Sequence, residues 1–588
     1  MKKTICIVHL LCISVLLFAQ KHDYAWVLGY YGQSPHPDLG GILMDFNQDS
    51  LLIYDVATGM DFNFTDASIC DAEGNLLFYT NGIYIADATH EVMENGDSIN
   101  NSGLTYLYED TGLPVPQGAL ILPAPGSDSL YYLFHGPIDF GPNGLNTHIP
   151  KLFYAKVNMN LNGGLGAVIE KDQLLIEDTL AYGKLTACKH ANGRDWWILV
   201  RKGERFSRDV YRLLLTPQGV LNMGKQDAGP DIIYAQGAVG NVVFSPDGTK
   251  YVSHEIRFNP LSAIDIYDFD RCTGQLQHLE HFTMDDSIFL DGGAAISPDS
   301  RNLYIVTQNI IYQFDLWASD IEATKTVVAE YDGFIGYPYA SKFGIPQLAP
   351  NGKIYIASAS TDTFMHVINT PNQLGWNSRV AQHSIGLPNL NDLSIPNFPN
   401  YRLGPLDGSL CDTLGLDNHP KAGFTYFTEE LEVTFSDNSY YRPEAWAWDF
   451  GDGSGSSERN PIHAYALPGE YYVCLTVSNE YDSDTFCRWV EVDSVTTASV
   501  AILHPQMTVQ VWPNPASSEM HISLPAPLLT PAEWRLYNAV GQEVHRTVIP
   551  AGQREQSLSL AGVPPGLYFW QVRVEGRRVG SGKVVVEK

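Results

Sequence analysis

The feature that most constrains this chain is a short turn followed by an apolar, aromatic-rich strand, which recurs across residues 24–403. Four of these turns begin at His190, Ser245, Ser297 and Ala349, so they are 55, 52 and 52 residues apart. Earlier turns of the same kind lie at 71–75 and 124–128. Because a single sheet cannot bury both of its faces, a period near 50 residues indicates four-stranded sheets stacked around one axis, as in a β-propeller.

The repeat also predicts the number of blades. The region 24–403 contains 380 residues (403 − 24 + 1), and division by about 52 residues per blade predicts seven. A two-sheet sandwich is the structural alternative, but it does not require a regular period. The turn Ser245-Pro246-Asp247-Gly248 resembles those of TolB-like and WD-repeat propellers, and the segments 189–197 and 268–274 resemble a propeller of secreted Bacteroidota proteins without an assigned activity.

Composition supports an all-β fold class for the whole chain. The 588 residues include 51 Gly and 35 Pro, which interrupt helices, and 32 Tyr and 25 Phe, which favour strands.

The chain is strongly acidic, since it has 36 Lys and Arg but 66 Asp and Glu, a formal net charge of −30. We therefore expect no nucleic acid or anionic membrane as a partner, because both require basic surface.

The N-terminal segment 1–20 has the pattern of a secretory signal peptide. Two lysines precede an apolar run from Ile5 to Phe18, and small residues follow it. Such a run is too short to span a membrane, and no later segment reaches eighteen apolar residues. We expect entry into the periplasm and no transmembrane segment once the signal is removed.

After a linker at 404–420, the region 421–493 carries the motif Trp448-Asp449-Phe450-Gly451-Asp452-Gly453, and further on Gly469-Glu470-Tyr471-Tyr472-Val473. These segments closely resemble a PKD domain, an immunoglobulin-like β-sandwich. The resemblance implies a spacer role and also makes Asp449 and Asp452 calcium candidates, because some PKD domains of secreted proteases bind calcium. The alternative is that both carboxylates only accept N–H groups of the turn.

Six cysteines remain beyond the signal segment, and an oxidising envelope permits disulfides. A turn near Glu480-Tyr481 places Cys474 opposite Cys487, since both are about equally distant from it. We predict a cross-strand disulfide between them. The pairing of the other four stays open at this stage; they are Cys70, Cys188, Cys272 and Cys411.

A second linker at 494–510 precedes the tail 511–588, in which short strands alternate with Gly and Pro turns. Its motifs are Val511-Trp512-Pro513-Asn514-Pro515, Pro564-Pro565-Gly566-Leu567-Tyr568 and Gly582-Lys583-Val584. They resemble the C-terminal sorting domain of type IX secretion cargo of Bacteroidota, a small β-sandwich. The resemblance implies the type IX machinery as partner, a secreted or outer-membrane surface location, and removal of the tail on export.

The propeller turn at residues 189–197 combines several polar and charged side chains with two tryptophan rings. Exposed indole faces stack on sugars, so this turn is a candidate glycan- or peptide-binding lip. The alternative is a structural turn in which one tryptophan fills the space between blades. The candidate ligand-binding residues are His190, Asn192, Arg194, Asp195, Trp196 and Trp197.

A second calcium candidate lies near the N-terminus, where Asp45, Asn47 and Asp49 place oxygen atoms at alternate positions. Ser50 stands where a calcium loop has its glycine, and no glutamate closes the loop. Calcium is therefore the one candidate cofactor, and we expect that the protein binds no cofactor.

No catalytic motif is recognisable in this sequence, and we predict a secreted or cell-surface binding or adhesion protein. The propeller would present the ligand-binding face, with a glycan or a protein as ligand. A secreted glycosidase or peptidase with its site in the propeller mouth is the alternative, because propellers host both functions. A structural component of the envelope or of the gliding machinery is a third hypothesis.

Overall fold

The computed structural model confirms the all-β class. Apart from four 3₁₀ helices at Thr105–Tyr108, Asn162–Gly164, Glu322–Thr324 and Gly375–Ser378, every regular element in the described residues is a β-strand. The described residues are 20–30, 39–48, 50–101, 104–140, 147–203, 207–229, 240–256, 262–284, 292–336, 338–492, 510–524, 532–538, 543–550, 553–574 and 577–587.

Two three-stranded sheets begin the propeller. The first contains β1 (Ala25–Tyr30), β2 (Gly40–Asp45) and β3 (Leu52–Val56), and the second β4 (Ala67–Cys70), β5 (Leu76–Thr80) and β6 (Ile85–Asp87). All neighbouring strands in both sheets are antiparallel. The innermost strand β4 is buried along its whole length, as a strand facing the propeller axis must be.

The next sheet is double, because one long strand belongs to two blades. Its strands are β7 (Ala119–Pro123), β8 (Leu130–His135), β9 (Asp139–Phe140), β10 (Thr147–Asn158), β11 (Ala167–Lys189), β12 (Trp196–Lys202), β13 (Asp209–Thr216) and β14 (Gly219–Asp227). The first part of β11 pairs with β10, and its last part pairs with β12. The strand therefore ends one blade on its outer side and begins the next at the axis.

Three four-stranded sheets follow in sequence order. They contain β15 (Val242–Phe244), β16 (Lys250–Glu255), β17 (Ser262–Asp270) and β18 (Gln275–Met284); then β19 (Gly292–Ile296), β20 (Asn302–Thr307), β21 (Ile310–Asp315) and β22 (Thr326–Glu330); then β23 (Phe343–Leu348), β24 (Ile354–Ser358), β25 (Asp362–Ile368) and β26 (Val380–Asn391). With the double sheet counted as two blades, the described strands form the seven blades that the period predicts.

The blades close into a ring. The inner strands β4, β7, β11, β15, β19 and β23 follow one another around the axis, while β1 runs antiparallel to β4, and β26 packs against β1 and β2. At this junction the rings of Trp26 and Tyr355 lie 5.8 Å apart, and Asn389 Nδ2 donates to Gly41 O at 2.9 Å. The first and last blades are therefore joined by side-chain contacts, which bury Trp26 completely.

In the six blades after the first, the turns between the first and second strands lie at one end of the axis, which we call the turn face. In the turn after β15, Gly248 N donates to Ser245 O at 2.8 Å. Gly248 has a φ of 72°, and a Cβ atom there would lie within 3 Å of Leu403, Arg271 and Cys188. Only glycine combines this backbone angle with such close packing.

The segment after β26 returns through the centre of the ring. Asn397 Nδ2 donates to Ala119 O at 3.0 Å and to Leu185 O at 3.1 Å, while its backbone N–H donates to Asp66 O at 3.0 Å. One residue thus joins the inner strands of three different blades. The end of the propeller domain occupies part of its axial channel.

The predicted linker 404–420 lies on the turn face. A disulfide joins Cys411 to Cys272, in the turn between β17 and β18, so the structure also pairs two cysteines that the sequence leaves open. Leu406 N donates to Ala191 O at 2.8 Å, and the Arg271 guanidinium donates to Gly404 O. We call residues 404–420 the strap. Cys70 and Cys188 are free and buried.

The PKD region is a sandwich of two antiparallel sheets. Its strands are β27 (Phe424–Glu429), β28 (Glu432–Asp437), β29 (Ala445–Asp449), β30 (Gly455–Ser456), β31 (Ile462–Ala464), β32 (Gly469–Ser478) and β33 (Ser483–Val492). Val473, Leu475 and Val477 alternate into the core beside Trp448. Cys474 lies directly opposite Cys487, and the two form a disulfide with a Cα–Cα distance of 4.1 Å, which is the bond that the sequence predicts.

The tail is a second small sandwich. Its strands are β34 (Gln510–Trp512), β35 (Glu519–Ser523), β36 (Ala532–Tyr537), β37 (Glu543–Ile549), β38 (Glu555–Ser559), β39 (Gly566–Val574) and β40 (Arg577–Val586). A three-stranded sheet with the order β34-β35-β38 faces a four-stranded sheet with the order β37-β36-β39-β40. Trp534, Met520 and Val572 lie between the two sheets.

Candidate functional site

One cleft lies where the PKD domain packs against the turn face of the propeller. Asn372 Nδ2 of the propeller donates to Asn460 Oδ1 of the PKD domain at 3.0 Å, and Arg379 forms an ion pair with Glu429. Between these domains is a cleft of about 1020 Å³, partly open to solvent, which we call the axial cleft. Clefts at domain interfaces are common ligand sites.

The walls of the axial cleft come from three parts of the chain. The propeller contributes the ends of four inner strands and the turns that follow them, the segment after β26 contributes residues 398–402, and the PKD domain contributes residues 437–440. Neutral polar side chains alternate with apolar ones along these walls. The polar residues include Gln347, Asn400, Asn438, Ser439 and Tyr440, and the apolar ones include Phe244 and Phe398.

Each charged side chain that lines the axial cleft has an oppositely charged partner. Arg402 donates to Asp23 through both terminal nitrogens of its guanidinium, Nη1 to Oδ1 and Nη2 to Oδ2, the latter at 2.7 Å. Asp437 accepts from Arg459 Nε at 2.9 Å and from Ser439 N at 3.0 Å. Burial raises the pKa of Tyr440 above its usual range, so its hydroxyl stays neutral at physiological pH. The cleft therefore offers hydrogen-bonding groups to a ligand, and none of the charged side chains that line it is unpaired.

A second polar cluster lies inside the propeller, between β12 and β17. Arg201 is buried beside Tyr267, and the carboxylate of Asp265 accepts from His281 Nδ1 at 2.8 Å. Burial alone would raise the pKa of Asp265, but His278, His281 and Arg201 outweigh this effect and lower it. Because Asp265 is completely buried, this charge network joins two blades rather than facing a substrate.

The predicted ligand-binding turn is a buried structural element. Trp196 and Trp197 are 1% and 2% exposed, so neither indole presents a face to solvent. This corrects the expectation of a sugar-stacking surface at this turn. The physical reason is that neighbouring elements cover both rings, since Trp197 Nε1 donates to Arg271 O at 2.8 Å and Trp196 packs on Tyr401.

The polar residues of the same turn are used internally. Asn192 Nδ2 donates to Asp195 Oδ2 at 2.9 Å, and Arg194 Nε donates to Asp195 Oδ1 at 2.7 Å. His190 Nε2 lies 3.1 Å from Cys272 O. Lys189 lies over the Trp196 ring, and burial lowers its pKa to about 8. A ligand-binding role for this turn remains a prediction, now limited to the partly exposed His190 and Arg194.

Three of the calcium candidates, Asp45, Asp449 and Asp452, have carboxylate oxygens that already accept hydrogen bonds within their own turns, whereas Asn47 Oδ1 has no hydrogen-bond partner among the described residues. Asn47 Nδ2 and Asn47 N both donate to Asp45 Oδ1, at 2.9 and 2.8 Å, while Asp49 lies outside the described residues. Asp449 Oδ1 accepts from Gly451 N at 2.9 Å. Asp452 accepts from Ser454 N at 2.9 Å and lies 2.8 Å from His463 Nε2.

The electrostatics of Asp452 reflect these contacts. Partial burial raises its pKa, but hydrogen bonds from Ser454 and His463 outweigh that effect and bring the pKa down to about 2. The turn therefore stabilises the ionised carboxylate by itself. Calcium at either turn remains a prediction. Among the described residues, no cluster of three or more His, Cys, Asp or Glu side chains has the arrangement of a metal site.

Sequence reasoning did not find the axial cleft residues. Asp23 and Arg402 are separated by 379 positions, and Tyr440 belongs to another domain. No spacing rule connects such residues. The one available signal was the position of turns at the ends of inner strands, which indicates where the cleft forms but not which side chains line it.

The fold and the cleft define a multidomain β-protein in which a propeller and a PKD sandwich share one interface. Residues 423–493 match the family model described as PKD domain, and residues 510–587 match the secretion system C-terminal sorting domain. The protein is therefore exported to the cell surface or the extracellular space through the type IX secretion system. In the part of the chain that the structure describes, no helix has the length and apolar character needed to cross a membrane.

Known proteins resemble separate parts of the chain. The pre-pro-metalloprotease PrtV of Vibrio cholerae is 32% identical over 126 residues, which are 20% of this chain and 13% of that protein. The PKD1 domain of the same metalloprotease is a solved structure with 35% identity, covering 13% of this chain and 98% of that domain, at a TM-score of 0.13. The match spans only this small fraction of the metalloprotease.

Two further solved structures cover the larger part of the chain. A functionally unknown protein from Desulfotomaculum acetoxidans is 14% identical and covers 63% of this chain and 99% of its own, at a TM-score of 0.36. A quinonprotein alcohol dehydrogenase-like protein from Bacteroides thetaiotaomicron is 13% identical and covers 63% of this chain and 76% of its own, at a TM-score of 0.31.

Proposed function

We propose that this protein is a secreted binding protein whose ligand occupies the axial cleft. The observation that carries this proposal is the chemistry of the cleft, in which neutral hydrogen-bonding groups lie beside aromatic rings and the charged groups are already paired. Such walls suit an uncharged polar ligand, because a charged ligand would have to compete with existing ion pairs.

The PKD domain has a larger part in this proposal than the spacer role that the sequence predicts. Asn438, Ser439 and Tyr440 form one wall of the axial cleft, and Asn438 lies close against Gly352 of the propeller. Ligand binding would therefore involve both domains. A ligand that contacts both would also stabilise their interface.

The hydrolase alternative requires ionisable groups that converge on a substrate. In the axial cleft the carboxylates are Asp23 and Asp437, and each is held by an arginine. A paired carboxylate is a weak general base, because the neighbouring guanidinium stabilises its ionised form. The contacts in the cleft thus favour binding over hydrolysis.

The experiment that tests this proposal uses glycan and peptide arrays on the full chain, followed by affinity measurement with Gln347→Ala. Gln347 lines the cleft, and loss of one hydrogen bond of about 0.5–1.5 kcal/mol is expected to weaken binding about two- to tenfold. Gln277→Ala is the matched control, since Gln277 is exposed on the outer strand β18. An equal effect of both changes contradicts the assignment of the cleft.

The same protein is screened with chromogenic glycosides and peptides. Binding without turnover is the expected result. Reproducible turnover that Gln347→Ala reduces, and Gln277→Ala does not, would replace the binding function with the hydrolase alternative.

A further inference from the structure

A second open groove lies on the opposite end of the propeller, away from the PKD domain. It has about 750 Å³ of empty space and includes Tyr84, Asp97, Asn101, Thr105, Tyr106 and Glu109 among its lining residues. The turn that carries Tyr84 follows β5, which runs antiparallel to the inner strand β4. It therefore lies at the far end of the blade from the turn face. We call this site the Tyr106 groove.

Hydrogen bonds hold in place the wall of the Tyr106 groove that contains residues 97–100. Ile99 N donates to Ile83 O at 2.9 Å, and Asn100 Nδ2 donates to Gly82 O at 2.9 Å. Lys171, on β11, donates through Nζ to Asp97 O at 2.8 Å. A site with fixed walls loses little conformational entropy when a ligand binds.

One buried polar atom in this groove lacks a partner. Thr105 lines the groove and is only 4% exposed, yet its Oγ1 has no hydrogen-bond partner in the described structure. A buried hydroxyl without a partner costs about 1–3 kcal/mol, so most native structures satisfy such groups. Because Oγ1 has almost no accessible surface, Thr105 has to turn its hydroxyl towards the groove for a ligand hydroxyl to satisfy it.

Aromatic and apolar side chains stand at the rim. Tyr106 is 65% exposed, and its neighbours Leu107 and Val92 are also exposed. Tyr84 is half-buried on the other wall. Tyrosine rings of this kind stack on the apolar faces of sugar rings while their hydroxyls remain in water.

The charges in the groove distinguish between ligand classes. Asp97 is paired with Lys171 at 3.1 Å, so Glu109 is the one lining carboxylate without an ion-pair partner among the described residues. A basic peptide would need several uncompensated carboxylates. A neutral sugar needs hydrogen-bond acceptors and donors beside a ring, and Asn101, Thr105 and Glu109 provide these.

We infer that the Tyr106 groove is a carbohydrate-binding site that takes neutral sugar units of a polysaccharide. It is separate from the axial cleft and does not depend on the function proposed for that cleft. The tyrosine rings stack on the sugar, Thr105 Oγ1 exchanges a hydrogen bond with a ligand hydroxyl, and Glu109 accepts another.

The test is affinity electrophoresis of the full chain through gels that contain soluble starch, xylan, mannan or mixed-linkage β-glucan. We expect at least one polysaccharide to retard the protein. Tyr106→Ala is expected to weaken this binding at least tenfold, whereas Tyr106→Phe keeps the ring and most of the affinity. Thr105→Val removes the hydroxyl at nearly constant shape and is expected to weaken binding about three- to tenfold.

Trp317→Ala is the matched control, because Trp317 is 63% exposed on another blade. Should Tyr106→Ala fail to fold, Asn101→Ala tests the same wall through an exposed side chain and is expected to weaken binding severalfold. Absence of retardation by all four polysaccharides overturns the inference. So does equal weakening by Trp317→Ala and Tyr106→Ala, or binding of oligolysine in place of the polysaccharides.

Discussion

At the scale of single residues, one contact that joins the two ends of the propeller domain is the ion pair of Asp23 and Arg402. Both side chains are almost completely buried, at 5% and 13% exposure, and the pair is bidentate. Removal of one partner from a buried pair leaves the other charge without compensation, which is more costly than loss of the attraction itself. This pair should therefore be far more important for stability than the ion pairs on the surface.

We expect Arg402→Gln to lower the free energy of unfolding of the propeller by about 3–5 kcal/mol. Urea unfolding of the full chain measures this change. Arg208→Gln is the control, because Arg208 and Asp227 are 38% and 57% exposed and such pairs contribute about 0–1 kcal/mol. Similar small losses for both variants would contradict the role assigned to the buried pair.

At the scale of elements, the strap shows how a segment with a linker composition becomes ordered. Its residues have no strand periodicity, and the sequence predicts only a connection between domains. The disulfide between Cys272 and Cys411 closes a loop of 139 residues, and Leu406 pairs with the turn at Ala191. Because a cross-link over a long loop greatly reduces the freedom of the unfolded chain, it orders a segment that has little hydrophobic core.

Replacement of both Cys272 and Cys411 by serine is expected to speed amide hydrogen exchange in residues 404–414 about tenfold or more, which corresponds to ~1.4 kcal/mol of lost protection. Hydrogen exchange with mass spectrometry measures the effect, with the Leu406 amide as the main reporter. The matched control replaces Cys474 and Cys487, whose disulfide lies within the PKD sandwich. Unchanged exchange in the strap after the first replacement would show that hydrogen bonds alone hold it.

At the scale of the whole molecule, the sorting domain and the two proposed binding sites belong to different parts of the chain. The sorting domain matches residues 510–587, whereas the axial cleft and the Tyr106 groove are built entirely from residues before 441. The tail also has its own hydrophobic core, so it does not need the propeller to form a sandwich. Its sorting role should therefore be transferable to another protein.

Deletion of 510–587 is expected to stop export, so that the protein accumulates inside the cell envelope. Immunoblots of culture medium, cell surface and periplasm measure the distribution. A periplasmic reporter that carries 510–587 at its C-terminus is the complementary control and is expected to reach the surface. Full export of the deleted protein would refute the role of the tail.

How well a feature of this protein can be predicted depends on how far apart in the sequence its interacting residues lie. The disulfide of the PKD domain could be predicted because Cys474 and Cys487 flank a single hairpin turn, where register follows from counting residues. The axial cleft could not, because Asp23, Gln347 and Tyr440 approach one another only after seven blades close and a second domain packs on them. The Tyr106 groove was missed because nothing in the local pattern marks Thr105 as buried without a partner.

The sequence by itself determined the all-β class, the blade period, the PKD sandwich and the sorting tail. Each of these depends on patterns that extend over two to about fifty residues. Alternating apolar residues in strands and the residue types of turns make such patterns visible in the sequence. Only the tertiary structure decided that Trp196 and Trp197 are covered, and that the PKD domain forms one wall of a cleft. The reason is physical: whether a side chain meets solvent or protein depends on distant segments, and no local pattern specifies which of them will pack against it.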